Sequence, residues 1–337
     1  MKKRPEKTYS VAVVATMSAG KSTLLNAMVG RSLLPTSCLA CTSSIFTIED
    51  VDKASGFEVR SNERGRAKWL PADKKTLEDM NSSGRQKIEM RGDLPGIANL
   101  RRGNIKVRFI DTPGPNNSEN LAHGKMLVKA LSGLEYSTIV FVLNAASLHN
   151  TEELAALRQV KAFVDRKRGN VEVVFALNRM DAFFHGGECN KSLSDVVAGT
   201  RKFLSEKAGF GNALVFPTWA SLALECRQLL YDVTYAAAID EDDEAALVAA
   251  IKKIRSRQHE IEDAIKMSFG RSLPGRSSGK KKTCNAGPKI VLPNSGQIMS
   301  IDELLFADGL SGVSALEKWV ERKMKSHFSG IGSKSTK

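Results

Sequence analysis

Val11-Ala12-Val13-Val14-Ala15 runs into Thr16-Met17-Ser18-Ala19-Gly20-Lys21-Ser22 and then into Thr23-Leu24-Leu25-Asn26-Ala27-Met28-Val29. The first run is short, apolar and rich in valine. The third carries Leu24, Leu25 and Met28 at helical spacing and stops at Gly30, so the order reads strand, loop, helix. A loop in that position turns backbone N–H groups inward at the positive end of a helix, where a phosphate is readily held. Ala19, Gly20 and Thr23 would line it, Lys21 would neutralise the terminal phosphates, and the Ser22 hydroxyl would ligate magnesium. Ala15 stands where the strict pattern has glycine, which a negative φ accommodates. A chance Gly-Lys-Ser surface turn is the alternative, and the strand–loop–helix context argues against it.

Working outward, residues 105–110, 138–143 and 171–177 are further β-branched runs, separated by helical segments near 121–131 and 152–165. A helix near 193–207, a strand at 213–218 and a helix at 221–231 continue the alternation. The expected fold class is α/β, with a mostly parallel central sheet and helices on both faces. Residues 49–108 read weakly, with a strand near 57–60 and a helix near 74–80. Beyond Asp240 the pattern is helical to about Ser268. Residues 274–294, rich in Gly, Ser, Lys and Pro, are expected to form a flexible insertion. An amphipathic helix at 313–324 precedes a polar tail over 326–337.

Two more motifs sit at strand ends. Asp111-Thr112-Pro113-Gly114 closes the run 105–110, where Asp111 would hold a magnesium-bound water and the Gly114 N–H would sense a terminal phosphate. Asn178-Arg179-Met180-Asp181 follows the run 171–177. A carboxylate at Asp181 can accept two hydrogen bonds from the N1–H and N2–H₂ edge of guanine, a donor pair that adenine lacks. The aliphatic stem of Arg179, standing where lysine is usual, can cover the base. Each motif alone also occurs in ordinary turns. Three in order, each at a strand's C-terminal end, point to one guanine nucleotide, GTP or GDP with Mg²⁺, bound along that edge of the sheet.

Composition sets outer limits. The 337 residues carry a net charge of +13, which favours anionic partners: the nucleotide first, and a phospholipid surface or nucleic acid as further candidates. No apolar run approaches the roughly 20 residues that span a bilayer. Five cysteines without framework spacing suit a reducing, cytoplasmic setting. Cys38 and Cys41 form a lone C-x-x-C, read as loop residues in preference to a zinc or redox site.

Ser18-Ala19-Gly20-Lys21-Ser22-Thr23-Leu24-Leu25-Asn26-Ala27, Leu33-Leu34-Pro35-Thr36, Asp111-Thr112-Pro113-Gly114-Pro115-Asn116 and Asn178-Arg179-Met180-Asp181 together resemble the GTPase domain of bacterial dynamin-like proteins. Ser311-Gly312-Val313-Ser314-Ala315-Leu316 resembles the start of that domain's last helix. The resemblance implies a P-loop GTPase domain over 1–325, with no stalk domain following. It implies magnesium-dependent GTP hydrolysis stimulated by pairing of two such domains, and a cytoplasmic protein compatible with peripheral membrane contact. Thr42 matches the threonine that closes over magnesium, and the Ala220 backbone falls where the base is touched. Met17 occupies the place of the glutamine of animal dynamins, which leaves hydrolysis to Ser18, the Thr42 region and backbone groups. A slow or non-hydrolysing GTP-dependent switch or scaffold is the alternative. An ATP-dependent P-loop enzyme is a third reading, opposed by the 178–181 motif. His123 is read as a helix-surface residue, Trp219 and Trp319 as packing anchors.

Overall fold

The structure, a computed structural model, describes residues 7–16, 18–34, 45–52, 54–61, 67–82, 87–94, 97, 105–112, 128, 131–148, 150–167, 171–184, 192–269 and 289–332. A nine-stranded sheet forms its centre: β1 (Lys7–Ala15), β2 (Ile45–Asp50), β3 (Glu58–Ser61), β4 (Leu70–Pro71), β5 (Lys87–Gly92), β6 (Ile105–Asp111), β7 (Thr138–Asn144), β8 (Glu172–Asn178) and β9 (Val215–Thr218), in the order β4-β3-β5-β2-β6-β1-β7-β8-β9. From β6 to β9 every pairing is parallel. Between β6 and β2 the direction reverses.

The two halves differ in how they are covered. β7 is buried along its whole length, and β1 from Tyr9 onward, as expected of parallel strands with helices above and below. β2, β3 and β5 instead alternate buried and partly exposed residues, so only one of their faces enters the core. Register across the other face aligns Arg108, Glu49, Arg91 and Glu58 in a row of alternating charge.

The helices are α1 (Lys21–Val29), α2 (Lys74–Ser82), α3 (Thr151–Arg166), α4 (Leu193–Glu206), α5 (Ala220–Tyr231), α6 (Val233–Ala238), α7 (Glu241–Ser256), α8 (Gln258–Phe269), α9 (Ile301–Leu310) and α10 (Val313–Gly332). α1, α5, α9 and α10 pack together, while α4 and α8 pack with β9. Asn150, Ser192 and Asp240 cap α3, α4 and α7 by accepting backbone N–H bonds, which fixes where each begins.

Several elements depart from the sequence reading. The stretch expected as one helix to Ser268 is two, with a break at Arg257, whose N–H bonds back to the Arg255 and Ile254 carbonyls. The last helix runs on to Gly332. Of the expected insertion 274–294, residues 289–291 form β10 (Lys289–Val291), paired antiparallel with β11 (Ile298–Ser300). The turn between them is held by Glu244, which accepts from Asn294 and Ser295 backbone N–H groups, both at 2.9 Å. The expected helix at 121–131 falls largely outside the described residues.

Candidate functional site

The first strand delivers its loop to the C-terminal edge of the parallel half. Register places Ala15 beside Val142, Val142 beside Ala176, and Ala176 beside Phe216, so β1, β7, β8 and β9 end together. Neighbouring strands lie about 4.8 Å apart, which puts the ends of β1 and β8 roughly 10 Å from each other.

In the loop, Ser18 has φ 56° and Gly20 φ 85°, two left-handed residues that curl the chain around its own N–H groups. α1 then starts without a side-chain cap and with no acidic residue in its first turn, leaving its positive end open to an anion. Lys21 is buried and ion-paired with Asp111 at the end of β6. Asp111 is 1% exposed. Burial raises its carboxyl above the ordinary range, and the Lys21 ammonium pulls the other way. Thr112 seats the chain after β6 against β1, its hydroxyl donating to the Val13 carbonyl at 2.9 Å.

Asn178 joins the other motif to this loop. Its amide nitrogen donates to the Ala19 carbonyl at 3.0 Å. Its carbonyl oxygen accepts from the Ala220 N–H at 3.1 Å and from the Thr218 hydroxyl at 3.4 Å. The loop lies so close that a Cβ on Gly20 would overlap the Asn178 amide, so this position requires glycine for space as well as for its positive φ. Arg179, exposed and at φ 64°, turns the chain into a 3-10 segment, Met180–Phe184, which carries the partly buried Asp181. Trp219, ahead of Ala220, packs on Phe184 with ring centres 5.9 Å apart.

Ser18, Ala19, Gly20, Lys21, Asp111, Asn178 and Ala220 are thus linked by direct contacts or chain adjacency, while Ser22 and Thr23, both partly buried, occupy the first turn of α1. Thr42, Gly114, Met17, His123, Cys38 and Cys41 lie outside the described residues. The residues present fit a magnesium ion: Asp111 Oδ2 is buried without a hydrogen-bond partner, and the Ser22 hydroxyl and this carboxylate are hard oxygen donors. Sequence reasoning passed over Asn26, fully buried, whose amide accepts from the Leu33 and Leu34 N–H groups and donates to the Leu34 carbonyl. It also passed over Thr218, and it took Ser311-Gly312 only as the start of the last helix, without the contact of Ser311 with Trp219. Buried polar residues of this kind announce themselves only through their partners.

The sequence model of the Dynamin family matches residues 11–176, which span both the phosphate loop and the Asp111 turn. Over those residues the chain matches a dynamin-type GTPase domain. A probable transmembrane GTPase of Arabidopsis thaliana, FZO-like and chloroplastic, is 22% identical to this chain over 228 residues, 66% of the chain and 20% of the relative. A solved oligomerised bacterial dynamin pair, described as sensing and tethering membranes at long range, matches over 77% of this chain and 41% of its own, at 14% identity and a TM-score of 0.46. Aquifex aeolicus Era, solved as a variant with GDP and aluminium fluoride, matches over 64% of this chain and 52% of its own, at 16% identity and a TM-score of 0.33. The chain therefore spans between a fifth and about half of the length of each. Among its described residues no helix is long and apolar enough to cross a membrane.

Proposed function

We propose that this domain binds GTP with magnesium and hydrolyses it by in-line attack of water on the γ-phosphate. One observation carries the reading: Lys21, Asp111 and Asn178 converge on one loop at the C-terminal edge of the sheet, beside an uncapped helix N-terminus. The Lys21 ammonium holds the β- and γ-phosphates and offsets charge on the transferring oxygens. Backbone N–H groups of residues 18–23 orient the phosphates without reorganising. Ser22 and Asp111, with Thr42, would hold magnesium, which when bound screens the phosphate oxygens. Asp181 reads the guanine edge, Arg179 covers it, and Asn178, which accepts from the Ala220 N–H and donates to the Ala19 carbonyl, ties the base loop to the phosphate loop. Ser18, Thr42 and the Gly114 N–H would order the water and the γ-phosphate.

The first test is phosphate release from GTP with Lys21→Ala beside the unaltered protein. The variant should lose at least about 100-fold, the scale of removing one preorganised charge partner. Equal rates would remove the assignment.

Self-association across the nucleotide faces and contact with an anionic membrane surface belong to the same proposal, supported by family likeness and by the +13 charge. Met17 favours a second reading, a switch that hydrolyses little, because a thioether donates no hydrogen bond to water. Single-turnover hydrolysis at rising protein concentration separates the two: a climbing rate supports pairing with catalysis, and a flat, slow one supports the switch.

A further inference from the structure

The base-binding end of the site rests on a part of the chain nearly 100 residues further along, the corner Ser311-Gly312 between α9 and α10. The Trp219 N–H donates to the Ser311 carbonyl at 2.7 Å. Gly312, at φ 80°, lies flat on the end of β9: a Cβ there would overlap the Pro217 carbonyl oxygen and stand 3.3 Å from Thr218 Cα. Ser311 and Thr218 are fully buried, and Ala220 is 1% exposed. Pro217-Thr218-Trp219-Ala220 is therefore held between the corner on one side and Asn178 on the other, through the Thr218 hydroxyl and the Ala220 N–H.

The corner is itself rigid. The Ser311 hydroxyl donates to the Asp308 carbonyl at 2.6 Å and accepts from the Val313 N–H at 3.3 Å, so it closes α9 and opens α10 at once. It is also anchored to the phosphate side. Asp308 pairs with Arg227 at 2.9 Å, and Arg227 donates to the Ala27 carbonyl of α1 at 2.8 Å. A shift of the corner would move the base loop relative to the helix that carries Lys21.

We infer that Ser311-Gly312 is a positioning element for guanine recognition, setting the Trp219-Ala220 backbone at the base without touching the nucleotide. This rests on the nucleotide reading above. A left-handed glycine after a helix is common, but Gly312 also meets a strand end with no room for a methyl group, and that strand end leads straight into the base loop.

The test is competition binding to the full chain with magnesium present, using GDP and inorganic pyrophosphate as separate probes. Gly312→Ala should weaken GDP by about tenfold or more, while pyrophosphate stays within about twofold, because only the base-side contacts are displaced. Loss of both in parallel indicates a merely structural corner and overturns the inference, as does no loss at all. Amide exchange on the unaltered protein gives the same answer without a variant: GDP should slow the Trp219 amide and residues 308–316 together, and pyrophosphate should slow neither. A Trp219 amide indifferent to GDP overturns the inference. No binding of GDP by the unaltered protein would remove the nucleotide reading and the corner's role with it, an outcome distinct from the others.

Discussion

Asp181 and Arg179 are two residues apart and do opposite kinds of work. The side chain of Asp181 is proposed to choose the base, so Asp181→Asn should lose most of the preference for GTP over ATP, measured by competition titration; retained preference would place base choice elsewhere. Arg179 is constrained by its backbone. At φ 64° a side chain with a Cβ costs roughly 1 kcal/mol, and asparagine tolerates that region better than arginine. Arg179→Asn should therefore keep or raise thermal stability by up to about 1 kcal/mol while weakening GDP binding, because the stem proposed to cover the base is gone. A melting temperature well below that of the unaltered protein would show that the arginine makes contacts this account lacks. The identity of both residues was legible in sequence; the left-handed turn at Arg179 was not, since arginine carries no preference for a positive φ.

Elements read well where both faces are buried and poorly where one is open. β1, β7 and β8 are apolar runs that stand out in the sequence. β2 and β5 were missed because polar residues interrupt their apolar runs: Glu49 takes Arg108 at 2.9 Å and Lys106 at 3.3 Å, and Arg91 donates to Glu58 at 2.8 Å. The guanidinium groups of Arg60 and Arg91 stack on the Trp69 ring, at 4.4 and 4.1 Å from its centre. Such pairs stabilise the strands only once the strands are aligned. On the helical side, burial and the neighbouring Asp243 push Glu225 of α5 up to about 7 from 4.5. The folded state then keeps its proton where the unfolded chain has released it. The stabilisation is complete below about pH 4.5 and is lost as pH rises through about 7, up to about 3 kcal/mol. Glu225→Gln should flatten this slope in urea unfolding between pH 5 and 8, and an unchanged slope would assign it to other groups.

Across the whole molecule, Arg227 joins four helices. It is 2% exposed on α5, donates to Ala27 of α1, and is held by Asp308 of α9 and by Glu317 of α10 at 2.6 and 2.9 Å. Burial works against its charge, but Glu317 and Asp308 more than offset this and raise its pKa above the ordinary value. Arg227→Met alone leaves two carboxylates buried without their cation and should cost about 3–5 kcal/mol in urea unfolding. Adding Glu317→Met should restore part of that loss, since an apolar replacement removes one stranded charge. A single variant that loses under about 1 kcal/mol would mean the cluster is hydrated and of little consequence.

Sequence alone set the residue types at the strand ends, Gly20-Lys21-Ser22, Asp111-Thr112-Pro113-Gly114 and Asn178-Arg179-Met180-Asp181, each legible because its members must follow one another along the chain. It also determined the parallel half of the sheet, whose burial on both faces leaves a continuous apolar signature. Tertiary structure alone decided which distant segments support that edge. Asn178 reaching Ala19, Ser311 holding Trp219 and Arg227 tying α1 to α10 join positions 90 to 200 residues apart. Such contacts leave no periodic trace, because each depends on a single polar group finding its partner after the core has closed.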